Sequence, residues 1–157
     1  MTRMTRSGKL DFGILLVLAD QEFVRELRAT TAAQGFDDQG RSDGFVLRTL
    51  GAGPTTISGL AERLEITKQG ASQIADDMER RGYVERRPDP ADARARQLHL
   101  TARGEAVLSA ARRFHQAYER KLRRRFGDEA IDTVRDVLTE MAGDTLLTTP
   151  HFRALMF

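Results

Sequence analysis

The sequence predicts a mainly helical fold with one small β-hairpin, an α+β architecture in which a middle segment is flanked by long helices. Three observations carry this. Apolar residues recur at a 3.6-residue period along most of the chain. The period drops to two only near residues 83–87 and 97–101. Between those stretches lies PDPADARA, a polar run with two Pro and two Asp, the composition of a protruding turn.

The elements follow in order. Phe12, Leu15, Leu16, Ala19, Phe23 and Leu27 form one helical stripe, which predicts a helix over 11–34 with Gly35 as its stop. DDQGRSDG is a loop, and Ser42 is placed to cap a short helix carrying Phe45, Val46 and Leu50 and closed by Gly51. After the turn GAGP, Thr56 caps a helix with Ile57, Leu60, Ala61 and Leu64 inward. Thr67 caps the next, whose apolar side is Ala71, Ile74, Ala75 and Met78, and Gly82 ends it. The two strands follow. Thr101 caps a long helix with Val107, Ala111, Phe114, Tyr118 and Leu122 inward. Gly127 breaks it before a last helix that turns Ile131, Val134, Leu138 and Met141 inward. The tail LLTTPHFRALMF is apolar.

Composition excludes several classes. With 40% hydrophobic and 31% charged residues, the 157-residue chain is too apolar for disorder and too charged for a membrane protein. No run of apolar residues is long enough to span a bilayer. The basic start and LDFGILLVLA resemble a signal peptide, but Asp11 interrupts the run and no small-residue cleavage site follows, so a cytoplasmic location is expected. The absence of Cys excludes disulfides and thiolate metal sites. His99, His115 and His151 are too far apart for a zinc helix, and neither metal nor cofactor is expected. The formal charge is only +2 although the pI is about 9.4, because all the basic residues but Lys9, Lys68 and Lys121 are Arg. Any electrostatic footprint must therefore come from where the arginines sit.

The helix after Thr67 exposes Lys68, Gln69, Ser72 and Gln73 opposite its apolar side, whereas Asp76, Asp77 and Glu79 lie in its later turns. Only its N-terminal half can approach a polyanion without repulsion. That end also offers free N–H groups and the positive end of the helix dipole. Gln can pair bidentately with adenine, and Ser and Lys can reach bases or phosphates. The preceding helix is joined through the short link Glu65–Ile66, as a helix-turn-helix requires. The hairpin carries Arg86, Arg87, Arg94 and Arg96 around Asp89 and Asp92. An arginine at a protruding tip suits a narrow, electronegative minor groove, and Asp89 or Asp92 could hold the Arg94 fork in one orientation. A solvated helix face and a solvated charged loop are the plainer alternatives. Helix-turn-helix and basic wing in this order weigh against them. The candidate DNA-contacting set is Thr56, Thr67, Lys68, Gln69, Ser72, Gln73, Arg86, Arg94 and Arg96, with Asp89 and Asp92 orienting the wing.

The run TISGLAERLEITKQGASQIADDMERRGYVERRPDPADARARQLHLTARGEAVL resembles the winged-helix core of the MarR family of bacterial transcriptional regulators. The residues that carry it are LAERL, ITKQGASQIADDMERRGYVER, the wing signature DP-x-D-x-R at Asp89, Pro90, Asp92 and Arg94, and LHLT-x-x-G. It extends over 10 to about 141 and is strongest over 57–107. Gly59 and Gly70 depart from it, each standing where a larger residue is usual. The resemblance implies a single domain over 1–157: a winged helix-turn-helix lobe at 42–101, and dimerisation helices at 10–35 and 102–157. It implies a homodimer on a double-stranded, near-palindromic operator, with recognition helices in the major groove and wings in the minor groove. The unpartnered stripe at Phe12–Phe23 and the apolar tail support a dimer independently.

The resemblance further implies a small aromatic effector between helices and lobe, whose candidate lining is Phe12, Leu16, Phe45, Phe114, His115 and Tyr118, residues that ordinary core packing would equally explain. The basic run Arg112, Arg113, Arg120, Lys121, Arg123, Arg124 and Arg125 could touch DNA backbone, or could pair with acids of the last helix. The expected function is therefore a ligand-responsive, homodimeric repressor. The alternative is a winged-helix protein-interaction module without DNA binding. An enzyme is disfavoured by the lack of any catalytic signature.

Overall fold

The computed structural model describes residues 10–143, and it orders them as α1 (Phe12–Ala32), α2 (Asp43–Gly51), β1 (Thr55–Thr56), α3 (Ile57–Leu64), α4 (Lys68–Arg80), β2 (Val84–Pro88), β3 (Arg96–Leu100), α5 (Ala102–Phe126) and α6 (Asp128–Ala142). The apolar tail at 146–157 lies outside the described residues. The chain divides into two compact units between residues 37 and 38. The first contains α1, which ends where Gly35 takes φ +91° and its N–H donates to the Ala32 carbonyl at 3.0 Å.

The second unit is organised by three threonines. Thr56, Thr67 and Thr101 hold extended backbone ahead of α3, α4 and α5, and each hydroxyl accepts from the N–H of a glycine three residues on. The distances to Gly59, Gly70 and Gly104 are 3.1, 3.0 and 3.1 Å. The two glycines that depart from the family pattern are thus donors in a repeated Thr-x-x-Gly cap. At Gly59 a Cβ would stand 2.3 Å from the Thr55 hydroxyl, so the missing side chain also makes room. The expected cap at Ser42 does not form: Ser42 is helical and its side chain makes no cap bond. The loop before α2 is closed instead by Asp43, whose carboxylate accepts from the Gly40 N–H at 2.8 Å.

Between α3 and α4 the chain turns through Glu65, the one non-glycine residue with positive φ among the described residues (52°). Ile66 N–H donates to the Ala61 carbonyl at 3.0 Å and Glu65 N–H to that of Glu62 at 3.2 Å, closing α3 and setting α4 across it.

The hairpin strands lie one residue from their expected places, and a third strand joins them. The antiparallel order is β1-β3-β2, with Thr55 opposite Leu98, Thr56 opposite Gln97 and Arg86 opposite Leu98. A two-residue strand has no periodicity to read. The core beneath the sheet comprises Val46, Leu47, Leu50, Leu60, Leu64, Ala71, Ala75, Met78, Val84, Leu98, Val107 and Phe114. On α6 only Ile131 is buried. Val134, Leu138 and Met141, expected to face inward, are exposed, because α5 alone cannot cover that helix.

Tyr83 joins these elements. It is wholly buried. Its N–H donates to Met78 at the end of α4, and its carbonyl accepts from Thr101 N–H at 3.1 Å at the start of α5. Its hydroxyl donates to Asp38. Arg103 reaches both that hydroxyl and Asp38 at 3.1 and 3.0 Å, with its guanidinium 4.7 Å from the ring centroid. Arg81 bonds the Asp38 carbonyl at 2.7 Å and forks onto Asp43, whose side chain is nearly inaccessible. Burial, then the bond to Asp38, push the Tyr83 phenol up to about 12. The Tyr83 hydroxyl, then the Arg103 charge, hold the Asp38 carboxyl below its usual range.

Two tests follow from this packing. A Cβ on Gly104 would stand 2.1 Å from the Tyr83 carbonyl oxygen, whereas one on Gly44 meets nothing within 4 Å. Gly104→Ala should lower the unfolding free energy by roughly 1–3 kcal/mol, and Gly44→Ala should raise it by about 0.4–1 kcal/mol, both read from urea titrations. The lowered folded-state pKa of Asp38 makes its contribution complete above the ordinary carboxylate value of about 3.9, and lost as pH falls through the folded value. Urea midpoints of the wild type and Asp38→Asn should therefore differ at pH 6 and converge on acidification below about pH 4.

Candidate nucleic-acid interface

The N-terminal half of α4 presents the side chains its sequence promised. Lys68, Gln69 and Gln73 are exposed and Ser72 is half-buried, on the side away from Ala71, Ala75 and Met78. Thr67 caps this end and is itself exposed, so a ligand approaching the first turn meets its hydroxyl and the helix N-terminus together. Thr56 stands one helix earlier, half-buried, with its oxygen accepting from Gly59.

The later acids of α4 are all engaged. Arg86, from β2, sends one guanidinium nitrogen to Glu79 and the other to Asp76 at 2.6 Å, while its backbone N–H donates to Glu79 at 3.2 Å. Asp77 accepts from Arg80 and Arg81, bonds that hold its carboxyl below the usual range. Arg86 was expected among the DNA contacts. Its side chain is only 24% exposed and faces the helix, so the structure places it with the acids. The sequence signal was available in the charge pattern: two acids three residues apart on α4 face one cation on the following strand.

At the wing tip the two aspartates shape the backbone. Asp89 Oδ1 accepts from Ala91 N–H at 2.8 Å, and Asp92 Oδ1 from Arg94 N–H at 2.9 Å. Asp89 N–H donates to the Ala95 carbonyl and Ala95 N–H to that of Asp92, both at 3.0 Å. The expectation that one of them grips the Arg94 fork is corrected: both are committed to the loop, and they place Arg94 by fixing its backbone. The Arg94 side chain is exposed and enters no hydrogen bond or ion pair among the described residues. Arg96 is exposed at the start of β3, and Arg87 pairs with Glu85 on its own strand. The tip thus presents arginine on a braced loop.

Of the proposed effector lining, the structure brings three residues together on α5. The Phe114 ring lies 5.6 Å from that of Tyr118 and 6.2 Å, edge-on, from His115. Burial, then the charge of Arg48 on α2, hold the His115 imidazole below its ordinary value. Phe45 is half-buried on α2, which packs on α5. Phe12 and Leu16 belong to the first unit. No group of His, Cys, Asp and Glu able to hold a metal occurs among the described residues. The basic run on α5 is partly neutralised: Arg123 pairs with Glu119, Asp128 and Asp132, and Lys121 lies over the Tyr118 ring. The Asp38–Tyr83–Arg103 junction escaped the sequence reading because its partners are 45 and 20 residues apart and carry no local pattern.

Residues 40–95 match the sequence model of the MarR family. Over 52 residues the chain is 46% identical to the transcriptional regulator HosA of Escherichia coli O111:H-, a stretch covering 33% of this chain and 38% of HosA. Over 79 residues it is 32% identical to an uncharacterised HTH-type transcriptional regulator, YsmB of Bacillus subtilis, covering 50% and 54%. The chain thus spans about half or less of the length of these curated relatives. Among solved structures it resembles Streptococcus pneumoniae FabT in complex with DNA, with TM-score 0.67, 25% identity, and 83% of this chain and 94% of that one covered. The reduced form of MarR from E. coli shares the fold, with TM-score 0.67, 20% identity and coverage of 85% and 98%. Strand order, the three capped helices and the braced wing accord with this likeness: over residues 40–95 the chain is similar to the MarR family, and its fold is a winged helix-turn-helix.

Proposed function

We propose that the chain is a DNA-binding transcriptional regulator: a homodimeric, cytoplasmic repressor of a near-palindromic operator. One observation carries this reading. The exposed, unpaired Arg94 sits on a loop braced by Asp89 and Asp92, on the same lobe as a helix N-terminus bearing Lys68, Gln69, Ser72 and Gln73. The helix end suits a major groove and the arginine a minor groove. Thr56, Thr67 and Arg96 add hydroxyls and charge within the same lobe. FabT was solved on DNA, and its likeness to this chain supports the same use of the lobe.

A homodimer is supported by apolar side chains left in solvent. Phe12 is 61% exposed on α1, and Val134 and Met141 are 51% and 54% exposed on α6. The segments that flank the lobe in sequence, 10–35 and 102–157, are the proposed dimerisation region, and 42–101 is the proposed DNA-binding segment. Phe114, His115 and Tyr118, with Phe45 on the neighbouring α2, are the proposed contacts of a small aromatic effector that releases the operator.

Selection of bound fragments from random DNA tests the reading directly. Enrichment of a motif with two half-sites about one helical turn apart is expected, and recovery of no enriched sequence overturns DNA recognition in favour of a protein-interaction module. Arg94→Ala should weaken operator binding strongly and leave the dimer intact by sedimentation. Gln69→Ala and Gln73→Ala should each relax discrimination at one base pair by about 1–3 kcal/mol. Equal weakening on all sequences would mark them as backbone contacts.

A further inference from the structure

We infer that Arg86 is a positioning residue for DNA binding: from strand β2 it masks the two carboxylates that continue the DNA-facing stripe of the recognition helix. The inference rests on the DNA-binding reading above. Gln69, Gln73, Asp76 and Glu79 follow one another at helical spacings of three and four, so they share one side of α4. Asp76 lies about 4.5 Å along the axis from Gln73. That is well inside the screening length of about 8–10 Å at physiological salt. Uncovered, Asp76 and Glu79 would stand close enough to phosphates beside the groove to repel them.

The geometry of Arg86 answers both charges at once. Its two terminal nitrogens reach one carboxylate each, and its N–H donates to Glu79. The planar fork fixes two partners where a lysine would hold one. Its backbone is paired with Leu98, a buried residue of the middle strand, so the cation is supplied from a rigid place. A side chain committed in this way to two acids is not available as a phosphate ligand. Its effect on affinity runs through Asp76 and Glu79.

Three proteins test this on the selected operator: wild type, Arg86→Gln, and the triple variant Arg86→Gln/Asp76→Asn/Glu79→Gln. Arg86→Gln should lose about five- to tenfold in affinity at low salt, and the triple variant should return to within about twofold of wild type. Thermal unfolding should differ little among the three, because exposed ion pairs contribute little to stability. A triple variant as weak as Arg86→Gln overturns the mask, and so does an Arg86→Gln protein that binds as wild type does. Replacing operator phosphates one at a time by neutral methylphosphonates adds an independent readout. Under the mask, neutralising the phosphates nearest Asp76 and Glu79 brings Arg86→Gln closer to wild type and has no such effect on the triple variant; a position that weakens wild type but neither variant assigns a direct Arg86 contact and overturns it. Failure of wild type to bind any selected DNA removes the DNA-binding reading and the mask with it, a result distinct from every comparison among the variants.

Discussion

The lobe depends on a close approach of two backbones, the Tyr83 carbonyl against the first turn of α5. Thr101 N–H donates to that carbonyl, the Thr101 hydroxyl donates to the Gly82 carbonyl, and Gly104 leaves open the space that a Cβ would fill. The end of α4, the start of β2, the end of β3 and the start of α5 are thereby held at one point. The Tyr83 ring carries the junction outward to Asp38 and its flanking arginines, so the first residue of the second unit is tied to the same centre. The orientation of the wing to the recognition helix follows from this junction. The loop contacts at the tip only refine it.

Arginine has two separate uses in this molecule. Arg81, Arg86, Arg103 and Arg123 are structural cations, each facing one or more carboxylates. Arg94 is the counterexample, presented on a braced loop with no acid taking its guanidinium. A formal net charge of only +2 is consistent with this division. Several of the arginines answer acids of the fold, and under the proposed function affinity for a polyanion comes from a few placed side chains.

Much of this was legible in the sequence because it is local. The Thr-x-x-Gly caps, the helix periods and the polar turn at 88–95 are each determined within a few residues, and they place Lys68, Gln69, Gln73 and Arg94 on the surface the structure gives them. What escaped was set at a distance. Thr55–Thr56 became a strand only because β3 lies beside it. Arg86 looked like a DNA contact until the fold brought Asp76 and Glu79 under it. The Ser42 cap gave way to Asp43 because Arg81, 38 residues later in the chain, holds that carboxylate. The α6 stripe was read correctly as apolar but assigned to an interior that the described residues do not supply.

Thr56 has two roles, as the last residue of β1, paired with Gln97 in the middle strand of the wing, and as the cap of α3. The wing is therefore joined mechanically to the helix-turn-helix at its first turn as well as through α5. The tip at 89–95 leads into β3, β3 pairs with Thr55 and Thr56, and Thr56 begins the helix against which α4 packs. Under the proposed function, this continuity would make the wing and the recognition helix meet the shape of the DNA and its sequence as one connected body.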